Sequence, residues 1–230
     1  MPEQKYNNAI VLGAKKLGEK SFIVSLLTKE NGRYLGVYKG KSAPQPADIV
    51  NARWQARLSE QLGTFYLENL KSISGFYMDD WPRLCCIRCI CELLNKTLPE
   101  RQSYSNLYDE VFILINNLNN KDYVKHYIIF ELNLLQELGF GLDFSDCAGG
   151  GNKNNLAFVS PKTGRAVSYE KGLPYRDKLL PLPKFLWQKS DESPNITDLK
   201  NALNLTGYFL QKNALNGSLP DGRNYLLKNK

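Results

Sequence analysis

The chain has 230 residues, 43% of them hydrophobic, with 30 Lys and Arg against 23 Asp and Glu, one His and five Cys. That apolar content supports a folded core and excludes wholesale disorder. The single His excludes any mechanism that needs two imidazoles, and no apolar run approaches the roughly 18 residues of a membrane-spanning helix. The formal net charge of +7 fits a polyanionic partner such as nucleic acid, and fits equally a basic surface kept for solubility.

The charge is unevenly placed: +3 over residues 1–80, −3 over residues 81–150 and +7 over residues 151–230. The polar start, Met1 to Asn8, and the Lys15–Lys16 pair after the first apolar stretch do not match a secretory signal. Four of the five Cys crowd between Cys85 and Cys91, a poor disulfide framework, which predicts a reducing, cytoplasmic setting.

The first eighty residues read as strands. Ala9–Ala14 is β-rich, and Ser21–Thr28 is an apolar run bounded by Gly18 and by Asn31–Gly32, a pair that tolerates positive φ and so signals a hairpin into Arg33–Tyr38. The prolines of Ser42–Asp48 keep that stretch out of any ladder. Ala52–Leu58 alternates, with Arg53 and Arg57 opposite Trp54, and Thr64–Ser72 follows the break at Gly63. Five short strands over residues 1–80 predict a small closed barrel of the OB type, with an SH3-like barrel as the alternative.

From Asp79–Asp80, a boundary turn or helix cap, the period becomes helical. Helices are predicted over Arg83–Leu98, Tyr104–Leu118 and Tyr123–Leu138, the last apolar around most of its circumference and hence central to its bundle. A turn-rich segment leads to a hairpin of Leu156–Ser160 and Arg165–Ser168. A Leu/Pro-rich stretch over Lys178–Trp187, a polar linker over Ser190–Asn195 and a helix over Ile196–Leu210 follow, the helix capped by Asn195 or Thr197. Residues 213–230 read as a loose basic tail. The fold class is therefore α+β: a barrel, then a mostly helical domain over residues 81–230.

Few residues group for chemistry. Gly13 to Ser21 nearly spells a phosphate-binding loop, but has one residue too many before Lys20 and is followed by a β run instead of a helix. Cys85, Cys86, Cys89 and Cys91 lie on one helix, where about 100° per residue spreads them too far round to form a tetrahedron, so packing is their expected role. His126 has no evident partner. Asp143 and Asp146 can meet in a turn without a third ligand. The barrel is richer: Lys15, Lys16, Arg33, Lys39, Lys41, Arg53 and Arg57 interleave with Tyr34, Tyr38, Trp54, Phe65 and Tyr66. Cations that track phosphates beside rings that stack on bases suit single-stranded nucleic acid; solvated lysines around core aromatics give the same pattern without any ligand.

Several segments together resemble the RecO family of bacterial recombination mediators. GEKSFIVSLLTKENGRYLGVYKGKS resembles the family's second and third barrel strands, and RWQARLSEQLGTF its fourth and fifth. FELNLLQELGFGLDFSDCA resembles its central helix and the turn after it, and FVSPKTGRAVS, GLPYRDKLLPLPKFL and ALNLTGYFL its C-terminal part. The likeness is collinear over about residues 8–210. It implies an OB fold, a helical domain, binding of single- and double-stranded DNA, annealing of complementary strands, and no catalysis. It also implies partnership with RecR and with the C-terminal tail of single-strand-binding protein, and so help in loading RecA. Some members hold zinc through four cysteines in the segment corresponding to Cys147–Leu156, within about residues 142–175. Only Cys147 remains here, before Ala148 and three glycines, so a zinc-finger-like but metal-free segment without cofactor is expected. The family's basic stretch after the third strand is represented by Lys39 and Lys41, and Lys162 and Arg165 on the hairpin would extend the phosphate track. An RNA-binding OB protein and a metal-dependent nuclease are the rival readings.

Overall fold

The structure is a computed structural model that describes residues 2–58, 60–188 and 193–228. Five strands come first: β1 (Glu3–Gly18), β2 (Ser21–Thr28), β3 (Gly32–Lys39), β4 (Ile49–Gln55) and β5 (Thr64–Lys71). They close into a barrel in the order β1-β2-β3-β5-β4. Every pairing is antiparallel except the short parallel seam of Val37 on Thr64 and Tyr38 on Phe65. This is the five-stranded barrel of OB type that the sequence predicts.

Alternation sets the interior. On β4, Val50, Ala52 and Trp54 point inward while Arg53 is exposed, as their spacing requires. Tyr6, Tyr34 and Trp54 form a chain of rings, with centroids 5.6 Å and 5.3 Å apart, and the indole N–H of Trp54 donates to the Leu62 carbonyl at 3.1 Å. Gly32 closes the β2–β3 hairpin with φ at +66°. Strand β1 is far longer than Ala9–Ala14. Its first half pairs with β4 and its second with β2, and irregularities at Tyr6/Ala9 and Val11/Gly13 bend it between the two neighbours. Its early residues are too polar to show the strand pattern.

The chain divides into two compact units, Met1–Asn119 with Pro220–Lys228, and Asn120–Leu219. In the first, a short turn, α1 (Ile73–Phe76), leads to α2 (Trp81–Thr97) and α3 (Ser105–Asn116). Asp80 caps α2 by accepting from the Arg83 amide at 3.1 Å. Both helices are fastened to the barrel: from α2 the Cys91 thiol donates to the Val11 carbonyl at 3.6 Å, and from α3 the Tyr108 hydroxyl donates to the Asn8 carbonyl and Asp109 pairs with Lys29 at 2.8 Å.

The expected loose tail is corrected by the structure. Asp221–Tyr225 forms a 3-10 turn against α2, Tyr225 meets Trp81 edge-on at 5.9 Å, and Leu226 is buried. Its apolar run is too short to carry a periodic signal, so the sequence shows only its charge. Residues 229 and 230 of that tail, like residues 190–192 of the expected polar linker, lie outside the described residues.

The second unit contains α4 (Tyr123–Glu137), β6 (Leu156–Val159), β7 (Ala166–Ser168), α5 (Tyr169–Gly172), β8 (Leu180–Pro181) and α6 (Ile196–Phe209). The hairpin gains β8 as a third strand, in the order β7-β6-β8. The sequence hides it because Pro181 is a poor strand residue, tolerated on an edge. The apolar α4 buries one carboxylate, Glu131, which accepts from the Tyr127 hydroxyl at 2.6 Å and from the Thr206 hydroxyl of α6. Asn195 caps α6 by accepting from the Asp198 amide at 2.9 Å. Among the described residues no helix is long and apolar enough to cross a membrane.

Candidate nucleic-acid interface

Strand register gathers lysines at one end of the barrel. Lys16 lies across from Phe22 and that residue from Tyr38; Gly18 lies across from Ser21 and that residue from Lys39. The Gly40 amide donates to the Lys20 carbonyl at 3.1 Å, tying the β3 end to the β1–β2 turn. Lys15, Lys16, Lys20, Lys39 and Lys41 are therefore neighbours on adjoining strand ends, all exposed, with Glu19 in the same turn. Lys20 adds to the residues expected from sequence. Its place in the cluster comes from a hairpin register, which is invisible until the turn is placed. The near match to a phosphate-binding loop is this same β1–β2 turn, with a strand on either side.

The other expected cations separate. Arg33 is largely enclosed: its Nε donates to the Leu98 carbonyl at 2.8 Å and its guanidinium pairs with Glu100 at 3.5 Å, which caps the end of α2. Arg53 stands on the outer face of β4, its guanidinium 4.5 Å from the Tyr66 ring centroid, with Lys5 across from it on β1. A shallow groove of about 260 Å³ runs beside them, lined also by Asn7, Asn51 and Glu68. Arg57 is exposed in the β4–β5 connection. Arg101, unnoticed in the sequence, lies over the Tyr34 ring at 5.0 Å and donates to the Gln61 carbonyl at 3.2 Å.

In the second unit, Lys162 is exposed in the β6–β7 turn, and Arg165 pairs with Asp143 at 3.3 Å. Asp143 and Asp146 take different partners. Asp143 accepts from the Ser145 hydroxyl and amide, Asp146 from the Cys147 amide. The Ser145 bonds, helped by Arg165, hold the Asp143 carboxyl below the usual carboxylate range.

The residues around Cys147 do not fit a zinc ion. Its sulfur accepts from the Ser168 amide at 3.2 Å, glycines follow it, and among the described residues no group of three His, Cys, Asp or Glu stands close enough to share a metal. Burial pushes the Cys147 thiol up, but hydrogen bonds, that from the Ser168 amide foremost, together outweigh it and hold the thiol below its ordinary value. Cys85, Cys86, Cys89 and Cys91 are buried along α2, and burial pushes the Cys91 thiol up to about 12. His126 is on the surface of α4.

A closed OB barrel with lysines at its strand ends, followed by helices and a small three-stranded sheet, defines an OB-fold protein of mixed α+β build. Residues 1–76 match the family model described as Recombination protein O N terminal, and residues 78–220 match Recombination protein O C terminal. The chain is 39% identical to a DNA repair protein RecO of Rhizobium rhizogenes, over 91% of this chain and 83% of that protein. It is 40% identical to proteins of the same description from Rhodospirillum centenum, over 90% and 85%, and Rickettsia canadensis, over 88% and 86%. The chain belongs to the RecO family of DNA repair proteins.

Proposed function

We propose that this protein is a recombination mediator that acts in the cytoplasm without catalysing a covalent step. It binds single- and double-stranded DNA, anneals complementary strands and, with RecR, helps load RecA onto DNA coated by single-strand-binding protein. The observation that carries the reading is the lysine cluster at the barrel end, Lys15, Lys16, Lys20, Lys39 and Lys41. Lysines that neutralise phosphates release counterions and let two polyanions approach while their bases stay free to pair. Arg53, Arg57 and Lys162 supply further cationic surface, and Arg165 contributes beside Asp143.

The tail of single-strand-binding protein, acidic with an apolar end, needs exposed apolar side chains edged by cations. Phe76, Met78 and Trp81 are 78%, 73% and 49% exposed, with the Arg88 guanidinium 5.7 Å from the Trp81 ring and the Lys228 ammonium 4.1 Å from that of Tyr225. We assign the tail to this surface.

The test is strand annealing with complementary oligonucleotides, naked and coated with single-strand-binding protein that has or lacks its tail. The reading expects annealing of both naked and coated strands, with the coated reaction dependent on the tail. No annealing of either would sink it. An arm with RNA of equal length as competitor addresses the RNA-binding alternative, which efficient displacement of DNA by RNA would favour.

A further inference from the structure

Strands β3 and β5 touch only at Val37–Thr64 and Tyr38–Phe65 and then part, β5 continuing along β4 to Lys71. The β3–β4 connection beside this seam contains Pro44 and Pro46 and, as described, no helix. The connection is firmly held. Buried Asp48 accepts from the Gln45 amide at 3.0 Å and the Ser72 hydroxyl at 2.9 Å, and the Ala47 amide donates to the Val11 carbonyl at 2.7 Å. Beneath it lies a groove of about 290 Å³. One wall is the Tyr38 ring, which folds back over Gly40; a Cβ at Gly40 would overlap that ring. Leu67 and Pro44 supply apolar surface over buried Val50, and Gln45 and Asn69 bring amides to the rim. Lys39 and Lys41 flank the same glycine.

We propose that this groove takes one unstacked nucleobase of single-stranded DNA, with Lys39 and Lys41 on the flanking phosphates. A heteroaromatic ring suits a small cleft with an aromatic wall, apolar sides and amide groups at its edge. The adjoining lysines favour a base that is part of a polyanion over a neutral apolar ligand. Because Asp48 fixes the loop beforehand, the cleft needs little reordering on binding.

The inference rests on the DNA reading above, so its test separates the two. The full-length protein is titrated with two oligonucleotides of equal length and phosphate number, one bearing bases and one abasic throughout. The base-bearing strand is expected to bind about tenfold more tightly, with the same salt dependence for both. Tyr38→Leu should bring that ratio close to one. Asn69→Ala, a change at an exposed position that spares the core, should reduce it about threefold. Equal binding of both strands by the unaltered protein overturns the base pocket and leaves DNA binding standing. A ratio that persists in both variants places base contact elsewhere and also overturns it. If neither strand binds, the DNA reading falls and the pocket with it.

Discussion

Lys39 and Lys41 sit on either side of a glycine that the Tyr38 ring requires, so two exposed charges are held at a fixed place on the barrel rim. Replacing both (Lys39→Ala with Lys41→Ala) should weaken single-stranded DNA binding and reduce the slope of log affinity against log salt by about 1.4, two released counterions at about 0.7 each. An unchanged slope in a fluorescence titration would remove these lysines from the interface. The thiols give a second prediction. Cys91 is fully buried, with its thiol pushed up to about 12, whereas hydrogen-bond donors hold Cys147 below its ordinary value. Alkylation of the native protein at neutral pH, read by peptide mass spectrometry, should label Cys147 first and Cys91 only on unfolding. Labelling in the reverse order would contradict the arrangement around both sulfurs. At this scale the sequence shows which residues are charged and which cysteines crowd on one helix. It does not show that Arg33 is taken up by the Leu98 carbonyl and Glu100, because those partners lie some 65 positions away.

Elements whose apolar period or cap is local were legible: β2 and β3 around the Asn31–Gly32 turn, α2 behind Asp80, α6 behind Asn195. The first half of β1 and the two-residue β8 were not, since each is defined by the strand it pairs with and not by its own pattern. The groove beneath the β3–β4 connection was equally hidden. It exists because β3 and β5 part and because Asp48 turns inward to hold the loop. Burial raises the Asp48 pKa above 3.8, against the hydrogen bonds from Gln45, Ser72 and Ile73. The folded protein thus holds this proton more tightly than the unfolded chain does. The contribution of Asp48 to stability is full below about pH 3.8 and is lost as pH rises through the folded value. In urea unfolding, the stability difference between the unaltered protein and Asp48→Asn should fall as pH is raised across that window and then level off. A difference that grows with pH would mean that the ionised form is the stabilising one.

For the whole molecule, the net charge of +7 was readable from composition, and its uneven spread pointed to more than one basic surface. How the last residues are used was not readable, because the hold of Tyr225 and Leu226 on α2 depends on residues more than a hundred positions earlier. Leu226→Ala should destabilise the first unit by about 3 kcal/mol, the usual cost of emptying a buried leucine site, seen as a lower denaturant midpoint. A change of only a few tenths would show that the segment contributes little to the fold. The same arrangement has a consequence for biosynthesis. The first unit is interrupted after Asn119 and resumes at Pro220. At roughly 5–20 residues per second, translation of the intervening stretch takes about 5–20 s. Throughout that interval the nascent barrel and its helices carry an uncovered seat on α2, beside Cys85 and Cys89, waiting for a segment not yet synthesised.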